Sequence, residues 1–263
     1  MAEYEHLNRT DDGVVTTVTL ARPDSHNALN VGLIEELTGC FEEISDDEGV
    51  RVVVLAGEGR SFCAGADIGY MRETASFSYE ENLEDARRLA TMFWTIDECP
   101  KPLIARVQGA AIGGGAGLVA AADVVVAEEE ARFAFTEVRL GIAPATITPL
   151  VVRKIGASHA RSLFVTGERF GAERAREIGL VHIVAPQDQL DAAVDKKVGE
   201  ILQGGPVAQA TVKALLRRLE TMEPMEAPGL TSRVISELRT GEEGQEGLAA
   251  FLEKREPGWR ASR

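Results

Sequence analysis

The sequence predicts an α/β fold, in which short strands alternate with helices. Two apolar runs with strand character, residues 52–56 and 103–107, are each followed by a glycine-containing turn, and the second turn leads into an apolar helical segment over residues 114–122. Because this strand–turn–helix unit recurs, the pattern suggests a stacked β-β-α spiral. With 263 residues, 44% of them hydrophobic, the chain can form one large domain or one domain with an appendage.

Local patterns also predict the other elements of the body. Residues 14–20 are rich in β-branched side chains and are predicted to form a strand. Asn30 is a predicted N-cap of a helix that runs to about Ile44. The polar segment 70–79 is predicted to be a mobile loop or a set of short helices. Further predicted elements are a helix over 80–96 and strands over 124–127, 132–135 and 180–184.

The last third of the chain is predicted to be almost wholly helical. We therefore divide the sequence into a spiral core over residues 1–189 and a helical region over residues 190–263. A helical tail with many apolar residues commonly packs across a neighbour, so we expect oligomer contacts in this region. Its candidate helices are 190–202, 206–219, 230–238 and 242–254.

Charge and cysteine content exclude several classes of function. The formal net charge of −14 argues against nucleic-acid partners and against an anionic membrane surface, although a phosphate-bearing small ligand needs only a few local cations. No signal peptide or transmembrane run is evident, and the three cysteines show no metal-ligand spacing. We expect a cytoplasmic protein without disulfides, a metal site or a redox cofactor.

The two glycine-containing turns, residues 61–68 and 108–118, are the strongest functional signal. Glycine permits close approach of backbone to a ligand, and the first N–H groups of a helix have no internal partner. Two such turns could direct two N–H donors at one oxygen, as in an oxyanion hole. Taken alone, the glycine triplet 113–115 could equally be a tight strand-to-helix turn.

Two other enzyme classes lack support. The chain has no G-x-S-x-G element of a serine hydrolase, and residues 113–115 lack the spacing of a dinucleotide-binding G-x-G-x-x-G. Several residues also have ordinary structural interpretations. Cys63 is interpreted as a small buried filler, Asp123 as a partner for backbone or an interface, and residues 128–130 as a solvated acidic loop.

Taken in order, the motifs resemble the enoyl-CoA hydratase/isomerase family, also called the crotonase superfamily. The likeness spans nearly the whole chain, and within the family it is closest to the bacterial methylglutaconyl-CoA hydratase-like members. The matching motifs are Arg22-Pro23, 27–30, 62–68, 100–123, 135–141 and 250–255. The closer likeness lies in 70–72, 80–83, 105–109 and 138–145.

This resemblance implies a β-β-α superhelix with a C-terminal helical trimerisation region, assembled as a homotrimer or a hexamer made of two trimers. It implies an acyl-CoA thioester as ligand, with its carbonyl oxygen bound by the N–H groups of Ala66 and Gly114. Ala64 would lie near the adenine, the 26–28 loop beside the pantetheine, and Lys254 near a CoA phosphate. The substrate-binding residues expected in this way are His26, Ala28, Ala64, Asp67, Ile68, Gly117, Pro144, Phe251 and Lys254. For Asp67 a turn or N-cap role carries more weight, and for His26 backbone positioning does.

Glu137 is the acid–base candidate. It follows the apolar strand-like run 133–136, so its carboxyl is expected to be partly desolvated, which raises the pKa. An alternative is an acid stabilised at a helix N-terminus. The family's best-known hydratases carry a second glutamate where this chain has Gly117, which could leave volume for a branched or carboxylated acyl group. Three interpretations therefore stay open: a hydratase using Glu137 alone, a Δ3,Δ2-enoyl-CoA isomerase, and a CoA-thioester binding protein with little turnover.

Overall fold

The computed structural model describes residues 4–260. Its strands are β1 (Leu7–Asp12), β2 (Val15–Leu20), β3 (Val52–Gly57), β4 (Leu103–Val107), β5 (Ala110–Ile112), β6 (Val124–Glu128), β7 (Arg132–Ala134), β8 (Arg169–Gly171) and β9 (Ile183–Ala185). Its helices are α1 (Val31–Asp46), α2 (Ile68–Thr74), α3 (Tyr79–Glu98), α4 (Gly114–Ala121), α5 (Thr148–Thr166), α6 (Ala172–Glu177), α7 (Leu190–Ile201), α8 (Pro206–Thr221), α9 (Ala227–Thr240) and α10 (Glu242–Glu253).

Two sheets form the body. The larger sheet has the order β1-β2-β3-β4-β6-β9, in which only β1 and β2 pair antiparallel. The smaller sheet has the order β5-β7-β8, with β5 and β7 parallel. This arrangement of short strands and crossover helices confirms the predicted α/β class. It also brings the chain after β4 into register with β7, which leads to Glu137.

The larger sheet is covered on both faces at its centre. On one face, Leu33, Leu37 and Phe41 of α1 belong to the same buried cluster as Phe93 of α3 and Leu55 of β3. On the other face, α7 contributes Leu190 and Val194 to a second cluster with alternate residues of β3, β4 and β6. Because β3 is buried on both faces, its sequence is continuously apolar instead of alternating.

Long-range packing produced elements that local patterns did not predict. These elements are β1, β5, β8, α5 and α6. Within α5, Gly156 adopts a φ of 73°, so a kink interrupts the helical periodicity. The strand predicted at 180–184 starts later, because the backbone N–H groups of Leu180 and Val181 both donate to the carbonyl of Ala175.

Helices α8, α9 and α10 are packed differently from the body. Neither α8 nor α9 has a buried residue, and α10 buries only Ala250. Helix α7, by contrast, packs on β4 and β6. The predicted helix at 230–238 is longer than expected and starts at Ala227, since Pro228 is tolerated in the first turn. Across residues 4–260, each helix is too short or too polar to span a bilayer.

Candidate active site

The two glycine-containing turns lie side by side. Cys63 donates its backbone N–H to the carbonyl of Ala110 (3.0 Å) and accepts the N–H of Ile112 at its own carbonyl (3.0 Å). Gly115 makes this approach possible, because a Cβ at this position would lie 2.9 Å from the Cys63 Cβ and closer still to its carbonyl oxygen. A Cβ on Gly65 would likewise meet the Ile112 carbonyl oxygen at 2.8 Å. The two turns can therefore approach this closely only because residues 65 and 115 are glycines.

The first candidate donor is the Ala66 N–H. Leu29 and Ala66 form an isolated parallel bridge, in which the Leu29 N–H donates to Gly65 (2.7 Å) and the Leu29 carbonyl accepts the N–H of Asp67 (2.9 Å). These bonds use the groups on either side of Ala66 and leave its own N–H without a partner in residues 4–260. Ala66 is exposed, so the donor can reach a ligand.

The second candidate donor is the Gly114 N–H, at the first residue of α4. Gly113 precedes it with a φ of 53°, donates its N–H to Ala134 (2.8 Å) and accepts the N–H of Gly117 (3.0 Å). As the first residue of the helix, Gly114 has no acceptor for its N–H in the described part of the chain. The positive end of the α4 dipole adds to the attraction for a developing negative charge.

Glu137 stands beside this helix start. It begins a four-residue 3-10 helix, Glu137–Leu140, three residues after the end of β7. Its Oε1 would lie 3.1 Å from a Cβ on Gly113, and its Oε2 is buried without a hydrogen-bond partner among residues 4–260. Burial raises the pKa of Glu137, and a bond from its own backbone N–H opposes that shift only in part. Glu137 does begin a helix, but its unpaired oxygen suits proton transfer better than helix capping.

The space expected beside Gly117 is occupied, so that expectation was wrong. A Cβ at residue 117 would lie 2.9 Å from the Phe93 ring and closer still to Cγ2 of Ile147. Ile147 is itself fully buried. The segment 145–148 therefore fills the place that a side chain on α4 would need, and Gly117 is a packing position instead of an enlarged part of the acyl pocket.

Asp67 and the 26–28 loop have structural roles that the sequence favoured. Asp67 caps α2 by accepting the N–H groups of Gly69 (2.8 Å) and Tyr70 (3.2 Å). Burial alone would raise its pKa, but the bonds from Arg22 and from these two N–H groups lower it. His26 accepts the N–H of Ala64 at its backbone carbonyl (3.0 Å), and its Nδ1 is hydrogen-bonded to the Ser61 hydroxyl (3.1 Å).

The remaining predicted ligand residues are spread more widely. Ile68 is exposed at the start of α2, and the buried Pro144 accepts the N–H of Thr148 at the start of α5 (3.0 Å). Phe251 and Lys254 are exposed on and just after α10, which packs against α8 and α9. Within residues 4–260 of one chain, no hydrogen bond joins these two residues to the glycine turns, and their ligand role stays a prediction.

For two further residues near the turns, Cys63 and Glu128, the sequence predicted the environment correctly in one case and wrongly in the other. Burial raises the pKa of the Cys63 thiol to about 12, so a filler role fits it better than a nucleophilic one. Glu128, predicted as part of a solvated loop, is buried in β6 and accepts the N–H of Gly109 at 2.6 Å. It fixes the start of the second turn. No signal in the acidic run 128–130 distinguished it from its exposed neighbours.

The fold and the site together define a class of protein: a β-β-α spiral that presents two backbone N–H donors and one desolvated carboxyl. The sequence profile of the Enoyl-CoA hydratase/isomerase family matches residues 10–262, and the chain belongs to this family. The chain is 34% identical over 245 residues to the 2,3-dehydroadipyl-CoA hydratase of Escherichia coli, covering 92% of this chain and 94% of that protein.

Solved structures show the same fold. An enoyl-CoA hydratase from Shewanella pealeana has a TM-score of 0.94 with 40% sequence identity, covering 98% of this chain and 97% of that one. An enoyl-CoA hydratase from Mycobacterium smegmatis has a TM-score of 0.91 with 35% identity, covering 97% of this chain and 99% of that one. The predicted crotonase fold is therefore confirmed.

Proposed function

We propose that this protein is an enoyl-CoA hydratase, which adds water across the C2=C3 bond of a 2-enoyl-CoA thioester. One observation carries the proposal: the N–H groups of Ala66 and Gly114, which have no partner within residues 4–260, adjoin the half-buried Glu137, whose Oε2 is buried and unpaired in the same residues. The relatives at about one-third identity, which include a 2,3-dehydroadipyl-CoA hydratase and an enoyl-CoA hydratase, support the same reaction class. No metal or redox cofactor is needed for this chemistry in our proposal.

The two donors and the carboxyl have complementary tasks. A thioester oxygen held by Ala66 and Gly114 can accept negative charge, which makes C3 of the conjugated double bond electrophilic. Glu137 takes a proton from the attacking water and returns it to C2. Removing one such donor typically raises the barrier by about 2.7–4 kcal/mol, and a general acid–base group contributes about 10²–10⁴ in rate, so the two contributions are of similar size.

The acyl group in our proposal is branched or carboxylated, as in 3-methylglutaconyl-CoA. The support is the likeness over residues 70–72 and 138–145, together with the relative named for a carboxylated enoyl thioester. The occupied space at Gly117 gives this choice no support. Our second candidate is a Δ3,Δ2-enoyl-CoA isomerase, because Phe93 and Ile147 fill the place of a second carboxyl and a proton shuttle between C2 and C4 needs only Glu137.

Mass spectrometry of the products from 2-enoyl, 3-enoyl and 3-methylglutaconyl thioesters tests these candidates. We expect a product heavier by one water from a 2-enoyl substrate. An isobaric product with a shifted double bond would instead identify an isomerase. If no thioester is converted while all are bound, the protein is a binding module and the hydratase proposal is wrong.

Glu137→Gln tests the assigned acid–base residue. We expect kcat to fall about 10²–10⁴-fold, because the amide cannot exchange a proton with water or C2. Glu130→Gln is the matched control, since Glu130 is exposed and, among residues 4–260, its carboxylate pairs only with Arg132. Turnover in Glu137→Gln equal to that of the control would remove Glu137 from the mechanism.

We also propose a homotrimer or a hexamer of two trimers. The segment from α8 to α10 exposes large apolar side chains that the described residues, 4–260, leave uncovered. They include Val207, Val212, Leu216, Met225, Ile235, Leu248, Phe251 and Leu252. Exposed large apolar side chains in this number are typical of a protein–protein interface.

A further inference from the structure

The guanidinium group of Arg22 joins the two loops that hold the first oxyanion donor. Its Nη2 donates to Oδ2 of Asp67 at 2.9 Å, and its Nη1 donates to the carbonyl of Ala28. Both charged side chains are largely shielded from solvent, with 19% of the Arg22 side chain and 18% of the Asp67 side chain exposed. Arg22 therefore links the 26–29 loop to the turn at 64–67 by two directed bonds.

Ala28 and Asp67, the two residues that Arg22 binds, lie next to the peptide that carries the Ala66 N–H. This peptide is planar and trans, so its carbonyl, from Gly65, points opposite to the Ala66 N–H. The Gly65 carbonyl accepts the N–H of Leu29 at 2.7 Å. The direction of the Ala66 donor is thus set by Leu29, which follows Ala28 and binds the N–H of Asp67.

The same segment also touches the second donor. A Cβ on Gly114 would lie 2.7 Å from Cδ1 of Leu29, so the Leu29 side chain packs directly against the first residue of α4. Leu29 is buried, with no room to rearrange freely. A displacement of the 28–29 backbone would consequently disturb both Ala66 and Gly114.

The loop would not keep this shape without restraint. His26 and Asn27 have φ values of 52° and 57°, in the left-handed region that non-glycine residues rarely adopt. The fully buried Asn27 side chain accepts the backbone N–H of Arg22 and donates to the backbone carbonyls of Glu58 and Ser61. Backbone strain of this kind persists only where several contacts determine the conformation.

We propose that Arg22 is a positioning residue for the oxyanion hole. By clamping Ala28 and Asp67, it keeps the Ala66 N–H directed at the thioester oxygen, and Leu29 transmits the same constraint to Gly114. The inference rests on the proposed function, because an oxyanion hole has a role only if the protein activates a thioester. Arg22 itself need not touch the substrate.

Asp67→Asn separates the clamp from helix capping. Oδ1 of Asp67 accepts the N–H groups that cap α2, whereas Oδ2 binds Arg22. An asparagine can keep the cap through its oxygen but presents an amide N–H₂ to the Arg22 guanidinium, where two donors repel. Arg22→Met removes the same clamp from the other side and keeps much of the apolar stem.

We expect kcat to fall about 10–100-fold in both variants, with less than about threefold change in KM, since a misdirected donor costs less than the 10²–10³ of a removed one. The double variant should lose no more than either single variant. Arg9→Met is the matched control, because Arg9 is even more shielded, with 9% of its side chain exposed, and pairs with Asp11, Glu43 and Asp47 away from the turns. It should lower the melting temperature without changing kcat.

The absorption spectrum of a bound cinnamoyl-CoA thioester gives a readout that folding alone would not move. Polarisation of the carbonyl by the two N–H donors shifts the absorption of the conjugated thioester to longer wavelength, and we expect a smaller shift in Asp67→Asn and Arg22→Met at saturation. A full shift and unchanged kcat in both folded variants would overturn this inference alone. A parent protein that binds the thioester without any shift would overturn the proposed function as well.

Discussion

The body and the C-terminal helices use similar amphipathic sequences but reach different degrees of burial. In the body, Phe41 of α1 and Phe93 of α3 are completely buried. In α8–α10, called the tail from here on, α8 and α9 bury no residue, and the Phe251 side chain of α10 is 80% exposed. An apolar helix face stabilises a fold only where another surface covers it, so the body completes its core within one chain and the tail does not.

The attachments of the tail to the body are mainly polar. Lys213 of α8 binds Asp123 (2.6 Å), and Arg217 donates to the carbonyl of Asp97 (2.9 Å). Arg51, which precedes β3, donates to the carbonyls of Gly204 and Trp259 (2.7 Å each). Asp123 also accepts the backbone N–H of Leu103 (2.8 Å), so it serves as the partner for backbone that the sequence suggested. These directed bonds orient the tail while its apolar side chains remain available to a neighbour.

A glycine-to-alanine pair gives the largest expected difference between the two regions. In the body, Gly115→Ala places a Cβ within 3 Å of Cys63, so the two turns must separate. We expect a loss of about 3 kcal/mol or more in the free energy of unfolding, together with loss of turnover. In the tail, Gly229→Ala meets open space on α9 and should stabilise by about 0.4–1 kcal/mol.

Chemical denaturation of both variants measures this difference. Comparable stability changes at the two sites would show that the junction of the turns is looser than the contacts of Gly115 indicate.

Ile235→Glu tests whether a neighbouring chain covers the tail. A carboxylate on the exposed apolar face of α9 would be costly to bury, so we expect the solution mass to drop towards the 28.3 kDa of one chain. Ser236→Glu is the control on an adjacent, polar position of the same helix. Sedimentation at matched concentrations distinguishes them, and an unchanged multimer in Ile235→Glu would place the interface elsewhere.

Gly117→Glu, with and without Ile147→Gly, tests the filled space of the body. The single change forces a side chain into Phe93 and Ile147 and should destabilise by about 1–3 kcal/mol. The double change removes the closer contact, with Ile147, and leaves Phe93, so we expect partly recovered stability and faster hydration of crotonyl-CoA only there. Steady-state kinetics with the Ile147→Gly control decides the matter: a rate gain in the single variant would contradict the observed packing.

The smallest expected effect is a pH-dependent stability gain in Glu137→Gln. Burial raises the pKa of Glu137, so the native state resists ionisation while the unfolded chain ionises at the ordinary carboxyl pKa. Below the unfolded-state pKa, the wild-type carboxyl is protonated in both states and costs no stability. As the pH rises from the unfolded-state pKa to the raised native pKa, the cost grows, and above the native pKa it stays constant. We expect Glu137→Gln to be more stable than the wild type at pH 8 and equal to it at pH 4.

Urea unfolding at these two pH values provides the measurement. A gain of equal size at pH 4 would mean that desolvation of the charged form is not its cause.

The amino-acid sequence by itself determined the local elements. Asn30 caps α1 through the N–H of Leu33, as its position before an apolar periodic segment predicts. Strand β3, helix α4 and both glycine turns were also predictable, because strand propensity, capping and glycine conformation act over a few residues. Glu137 was identified from its place after an apolar strand and from the family motif.

Tertiary structure alone decided which distant groups share space. Ile147 fills the gap beside Gly117, Glu128 turns inward to bind Gly109, and Leu29 lies against both candidate donors. None of these contacts follows a sequence period, because each depends on how the strands of both sheets stack and on which faces the helices cover. Local free-energy preferences act along the chain, whereas volume and hydrogen-bond pairing are settled only when remote segments meet.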